Sequence, residues 1–136
     1  MGSFSSIDIS ASGLLAQRTR LDVIANNIAN AETTRTAQGG PYRRQEVVFS
    51  QHLANSQAES GGVDVAGVVV SKDPVKMVYD PGHPDAGADG MVAMPNVNPV
   101  QEMVDMISAT RAYEANVQAI NSARSMASKA LEIGKG

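Results

Sequence analysis

The chain has 136 residues, enough for one ordinary domain, yet Phe, Tyr and Trp together make up only 4% of it. Its formal charge of −3 at pH 7 argues against a general nucleic-acid binder, and the absence of cysteine excludes disulfides, thiolate metal sites and a Cys nucleophile. No apolar run approaches ~18 residues, so no helix should span a membrane, and the opening MGSFSSIDIS lacks the basic stretch and apolar block of a secretory signal.

In chain order, the first element is an amphipathic helix. Phe4, Ile7, Ala11, Leu14, Arg18, Leu21, Ala25 and Ile28 recur in steps of three and four, the a and d positions of a heptad. The spacing predicts a helix from Ser3, Ser5 or Ser6, whose hydroxyls can cap it, to about Asn30. Leu15, Val23 and Ile24 lie off this seam, so the stripe is wide enough for several neighbours. Residues 31–46 read as a loop, tightest at Gly39-Gly40-Pro41. Arg43 and Arg44, the densest basic spot, read as a solvated turn. Val47-Val48-Phe49 starts a short strand, and residues 54–62 are polar and mobile in expectation. Val63, Val65, Val68, Val69 and Val70 predict a second strand interrupted at Gly67, with Lys76 to Tyr79 pairing to it. Residues 80–90, DPGHPDAGADG, are dense in turn formers.

The second helix has the clearest start: Asn98 to cap it, Pro99 at the first helical position, and Gln101 where a capping box places its partner. Gly134 is a natural stop. Met103, Met106, Thr110, Tyr113, Val117, Ile120, Arg124, Ala127 and Leu131 form its seam, with small surfaces beside it at Ala109, Ala112, Ala119, Ala123 and Ala130. The expected fold is mainly α: long N- and C-terminal helices packed as a coiled-coil-like pair, with a small central β/loop region. Two long helical ends around a short centre leave little globular core, so the seams need partners.

Candidate chemistry is sparse. The only histidines are His52 and His83, and no triad or phosphate-binding glycine motif is present. Asp80, His83, Asp85 and Asp89 have the residue types of a divalent-metal site. The intervening Pro81, Gly82, Pro84 and Gly87 explain the same segment as turns, and no catalytic, cofactor or metal role is expected. Arg18 and Arg124 interrupt the seams. In a monomer their stems pack while their heads reach solvent; in an assembly each pairs with an acid on a neighbouring subunit. Asn26, Asn27 and Asn30 weaken the first helix. They read as a helix-ending signal or, for Asn26 and Asn30 on one face, as amides that bridge to another chain. The residues expected at subunit boundaries are Leu14, Arg18, Leu21, Asn26, Asn27, Ile28 and Asn30 on the first helix. On the second they are Ile107, Tyr113, Val117, Ile120, Arg124 and Leu131.

The run LDVIANNIANAETT, residues 21–34, resembles the N-terminal signature of the bacterial flagellar rod and hook family of axial proteins. GGPYRRQEVVF at 39–49, YDPGHPDAGADGMVAMPNVNPVQEMVDMI at 79–107 and RAYEANVQAINSARSM at 111–126 are similar to its type C basal-body rod proteins, subunits of the proximal rod. The likeness covers nearly the whole chain, leaving 54–67 unmatched. It implies a structural subunit, not an enzyme, needing no cofactor. Residues 1–33 and 98–136 would be helices of an inner tube around a central channel, with 34–97 as the central segment. It further implies helical polymerisation into a shaft that crosses the periplasm and passes motor torque to the hook. Partners would be copies of the chain, other rod proteins, the export gate and its hook–basal-body adaptor, the surrounding membrane ring and the distal rod. Export would use the flagellar type III apparatus without a cleaved signal. A soluble helical adaptor or chaperone is the alternative from the seams alone, and a small metal-dependent enzyme the alternative from residues 80–89.

Overall fold

The computed structural model describes residues 2–52 and 61–136. Its elements are α1 (Gly2–Ala29), β1 (Gln45–His52), β2 (Gly62–Val70), β3 (Lys76–Tyr79), β4 (Met91–Met94) and α2 (Pro99–Gly134). The fold is therefore mainly α with a small β region. Residues 54–60 of the expected polar segment lie outside the described residues.

Helix α1 begins at Gly2, ahead of the serines expected to cap it, so these stand inside the helix. Its other end matches the expected signal. The backbone N–H and the side-chain amide of Asn30 both donate to the Asn26 carbonyl, at 3.1 and 2.9 Å, and Thr33 Oγ1 donates to Asn30 Oδ1. The loop then turns at Gly39 and Gly40, with φ of 84° and 77°, a conformation that any Cβ would strain.

Strand β1 starts two residues before Val47 and pairs antiparallel with β2, from Gln45 opposite Val70 to His52 opposite Gly62. The register slips between Val48, opposite Gly67, and Phe49, opposite Val65. Ala66 is thus the extra residue of a bulge beside the glycine expected to interrupt the strand. The half-buried Phe49, Val63 and Val65 face α1, where Ser12 Oγ accepts from Val63 N at 3.1 Å and donates to the Ile9 carbonyl.

Strand β3 does not pair with β2 as the sequence suggested. It pairs with β4, a strand the sequence reading missed, from Lys76 opposite Met94 to Tyr79 opposite Met91. The reason is the turn between them. Asp80 N donates to Gly90 O and Gly87 N to Met91 O, each at 2.9 Å, and Gly90 takes φ 72°. Consecutive strands joined by so compact a connection pair first. Val92, opposite Val78 in this ladder, is 1% exposed.

Helix α2 starts as its sequence specifies. Asn98 Oδ1 accepts from Val100 N and Gln101 N, and Pro99 occupies the first helical position. The 36-residue helix is roughly 54 Å long at 1.5 Å per residue. It ends at Gly134, but the cap residue Lys135 is right-handed (φ −88°, ψ −15°), so no left-handed glycine stops it.

The helices run antiparallel: Asn27 meets Glu102, and Gly13 meets Asn116, where an added Cβ would lie 3.0 Å from Nδ2. The face each helix turns inward differs from the apolar seam read in the sequence. On α2 the inward positions are Glu102, Met106, Ala109, Tyr113, Asn116, Ile120, Ala123 and Ala127, still in steps of three and four. Met106, Tyr113, Ile120 and Ala127 belong to the expected seam, whereas Met103, Thr110, Val117, Arg124 and Leu131 point out. On α1 the buried side chains are Ala16, Val23, Ile24 and Asn27. Leu14, Leu21 and Ile28 are half-buried, and Ala11, Arg18 and Ala25 are exposed. Small side chains at Ala16, Ala109 and Ala123 are the most completely buried of the apolar inward residues on the two helices.

Ala109 is 0% exposed at this contact, whereas Ala119 is exposed. Ala109→Leu should overpack the helix pair and lower unfolding stability by about 1–3 kcal/mol. Ala119→Leu should leave it nearly unchanged, with urea unfolding followed by circular dichroism as the measurement.

Candidate functional site

A buried polar cluster lies where the C-terminal end of α1, the 42–46 segment and the first turn of α2 converge. Asn27 is 1% exposed, and all four of its amide hydrogen-bonding positions are used. Its Nδ2 donates to Gln45 O at 2.8 Å and to Glu102 Oε2 at 3.0 Å. Its Oδ1 accepts from Gln45 N and from the Tyr42 hydroxyl, both at 2.9 Å. The amide therefore pairs with both backbone groups of the first β1 residue, as a neighbouring strand would.

Glu102, also 1% exposed, is the charged centre. Its second oxygen accepts from Arg44 Nε, while Arg44 also pairs with Glu46 and approaches Asp105 at 3.6 Å. The Arg44 backbone N–H donates to Asn96 Oδ1 at 2.8 Å, and the Asn96 amide donates to the Asp73 carbonyl. Burial works against the Arg44 charge, but the hydrogen bond and charge of Glu102, with Glu46, outweigh it and hold the guanidinium pKa above its ordinary value. Burial, reinforced by the Glu102 charge, raises the Tyr42 hydroxyl, which stays a donor to Asn27. A buried carboxylate between an amide and a guanidinium ties segments together and offers no group to a substrate. Arg44 is therefore not the solvated-turn residue the sequence suggested.

The 80–89 segment is a set of turns. Asp80 Oδ1 accepts from Gly82 N, His83 Nδ1 from Asp85 N, and Asp89 Oδ1 from Met91 N. Among the described residues no three His, Cys, Asp or Glu side chains converge as a metal-binding group. Asp85 instead docks the turn on the loop after α1, accepting from the Thr34 hydroxyl at 2.8 Å and pairing with Arg35. The Thr34 hydrogen bond, against a smaller effect of burial and with help from Arg35, lowers the Asp85 pKa.

The residues expected at subunit boundaries divide three ways. Arg18, Asn26, Ile107, Val117, Arg124 and Leu131 are exposed. Leu14, Leu21, Ile28, Asn30, Tyr113 and Ile120 are half-buried along the helix pair. Asn27 lies inside the subunit, with all four of its hydrogen-bonding positions satisfied by its own chain. Sequence reasoning missed Glu102 and Tyr42 and misplaced Arg44. For Glu102 the signal was its seven-residue spacing with Ala109, Asn116 and Ala123, which apolar scoring ignores. Among the described residues no helix is long and apolar enough to cross a membrane. A further set of side chains is apolar yet unburied: Val100, Met103, Val104 and Ile107 are 52–69% exposed on one face of α2, and Leu15 is 67% exposed on α1.

Two outcomes follow from this geometry. Asn27→Ala leaves the Gln45 amide, the Tyr42 hydroxyl and a Glu102 oxygen without partners, each at a cost of about 1–3 kcal/mol. Exposed Asn26→Ala should fall within about 0.5 kcal/mol of the parent, and denaturant midpoints compare the two. Asp85, lowered on folding from 3.8, contributes stability that is present above that value and lost as pH falls through its folded pKa. Asp85→Asn should therefore be less stable than the parent at neutral pH, and the difference should close in acid below the carboxylate range.

Comparison with known proteins agrees with these features. A family profile described as "Flagella basal body rod protein" matches residues 7–35, and one described as "Flagellar basal body rod FlgEFG protein C-terminal" matches residues 88–133. The chain is 50% identical to the flagellar basal-body rod protein FlgC of Borreliella burgdorferi, covering all of both chains. It is 47% identical to that of Bacillus subtilis over 99% of this chain and 100% of the relative. For the protein of Salmonella typhimurium the identity is 48%, over 94% and 95%. With half its residues shared from end to end, the chain belongs to the FlgC family of flagellar basal-body rod proteins.

Proposed function

We propose that this protein is a structural subunit of the proximal part of the flagellar basal-body rod, polymerising helically into the drive shaft between motor and hook. It holds its neighbours and catalyses nothing. Residues 1–33 and 98–136 act as the inner-tube core, packed as a coiled-coil-like pair, and 34–97 as the segment between them. The inward steps of three and four along α2 support that packing. Partners are copies of the chain, other rod proteins and the distal rod, the surrounding membrane ring, and the export gate with its adaptor. The rod crosses the periplasm, and the subunit reaches it by flagellar type III export.

One observation carries the reading. Helix α2 is apolar on two opposite sides, and the subunit covers only one of them. Val100, Met103, Val104 and Ile107 repeat as i, i+3, i+4 and i+7 on the open side, while Glu102, Ala109 and Ala123 are buried on the other. A contiguous exposed apolar face marks a protein interface. The small aromatic content fits the same picture, since much of the apolar surface becomes buried between subunits. Asn26, Arg18, Val117, Arg124 and Leu131 face outward and stand as boundary residues. Leu14, Leu21, Ile28, Asn30, Tyr113 and Ile120 border both the helix pair and its surroundings.

Ile107→Asp separates folding from assembly. Ile107 is 58% exposed, so the isolated variant should keep the parent's helicity and stability to within about 0.5 kcal/mol. In cells whose own copy of the gene is deleted, the variant should support neither rod assembly nor swimming. A buried, unpaired carboxylate at each interface costs several kcal/mol. Normal swimming would sink the interface.

A further inference from the structure

We infer that the outer face of α1 in one copy takes the open apolar face of α2 in the next, antiparallel, in one register fixed by two ion pairs. The inference rests on the proposed rod function and specifies its contact.

Among the described residues, one face of each helix remains uncovered in the subunit. On α1, Ala11, Leu15, Arg18, Asp22, Ala25 and Ala29 are all exposed and recur in steps of four and three. On α2, Val100, Met103, Val104 and Ile107 are followed on the same side by exposed Arg111 and Glu114. Among the described residues none of the four charges on these faces makes an ion pair within the subunit.

The charges select the occupant. Set antiparallel, Arg18 faces Glu114 and Asp22 faces Arg111, so both opposite-sign pairs form at once. The same setting brings Ala25 opposite Ile107, and Ala29 opposite Met103 and Val104. Large apolar side chains then enter the space above alanines, as knobs enter holes. In the parallel sense, setting Arg18 against Glu114 puts Asp22 against Gln118 and leaves Arg111 unmatched. Copies stacked with a common polarity present α1 and a neighbour's α2 in the antiparallel sense, because the two helices are antiparallel within each subunit. The contact joins two different faces, so it is heterologous and can repeat from copy to copy, as a helical filament requires.

The register also sets a stagger. Within the subunit Asn27 lies opposite Glu102 and Gly13 opposite Asn116. The contact between copies is displaced from that pairing by three to four residues, about one helical turn, or roughly 5 Å along the helices.

The chain has no cysteine, so introduced thiols report without background. Ala25→Cys combined with Ile107→Cys, oxidised in assembled basal bodies, should give a ladder of disulfide-linked copies, and each single variant should give none. Monomer alone from rods that contain the double variant would overturn the register while leaving the rod function standing. Ladders from either single variant would show a like-to-like contact and overturn it too. Absence of the parent chain from purified rods would instead overturn the rod function. Independently, Arg18→Glu should reduce swimming spread by at least half, and adding Glu114→Arg should restore it. Failure of the second change to restore swimming overturns the pairing.

Discussion

A single buried carboxylate organises this subunit. Glu102 sits in the first turn of α2, where the helix dipole favours a negative charge, and Arg44 and Asn27 satisfy its oxygens from the loop–strand segment and from α1. Removing any member would leave a buried charge or amide uncompensated, which costs far more than the net worth of the bonds made. The network therefore acts less as a source of stability than as a lock on geometry. It fixes the axial register of the two helices, the point where β1 leaves the loop, and the position of Asn96 and the 73 region behind it.

The rest of the packing follows from that register. With Asn27 held opposite Glu102, the antiparallel helices bring Gly13 to Asn116 and bury Ala109 and Ala123. Small inward side chains bury little apolar area per residue, at roughly 25 cal/mol per Å². The subunit also leaves several large apolar groups on the outside: Val100, Met103, Val104, Ile107 and Leu131 on α2, and Leu15 on α1.

The β regions are subordinate to the helices. The β1–β2 hairpin rests on α1 through Phe49, Val63 and Val65, and its bulge at Ala66 lets the two halves of the hairpin keep separate registers. The β3–β4 hairpin is closed by its own turn and tethered to the loop after α1 by Asp85, Thr34 and Arg35. Among the described residues neither sheet has more than two strands, which is marginal for independent stability. Both depend on the helical scaffold for their place.

Local chemistry alone determined several features: the Asn98–Pro99 start of α2, the Asn30 end of α1, the glycine turn at 39–40, and the turns of 80–90. Each depends on interactions within a few residues, so the sequence carries it directly. The motifs at 21–34, 79–107 and 111–126 also carried the family. Tertiary structure alone decided which side of each helix turns inward. Apolar spacing marks both sides of α2 and cannot say which is covered by its own chain. It also decided that β3 pairs with β4, and that Asn27 is a core residue rather than a surface amide. Glu102 and Arg44 are 58 residues apart in the chain. Their pairing pays only once the loop, the strand and both helices have closed around it, a condition that no local pattern of residues can announce.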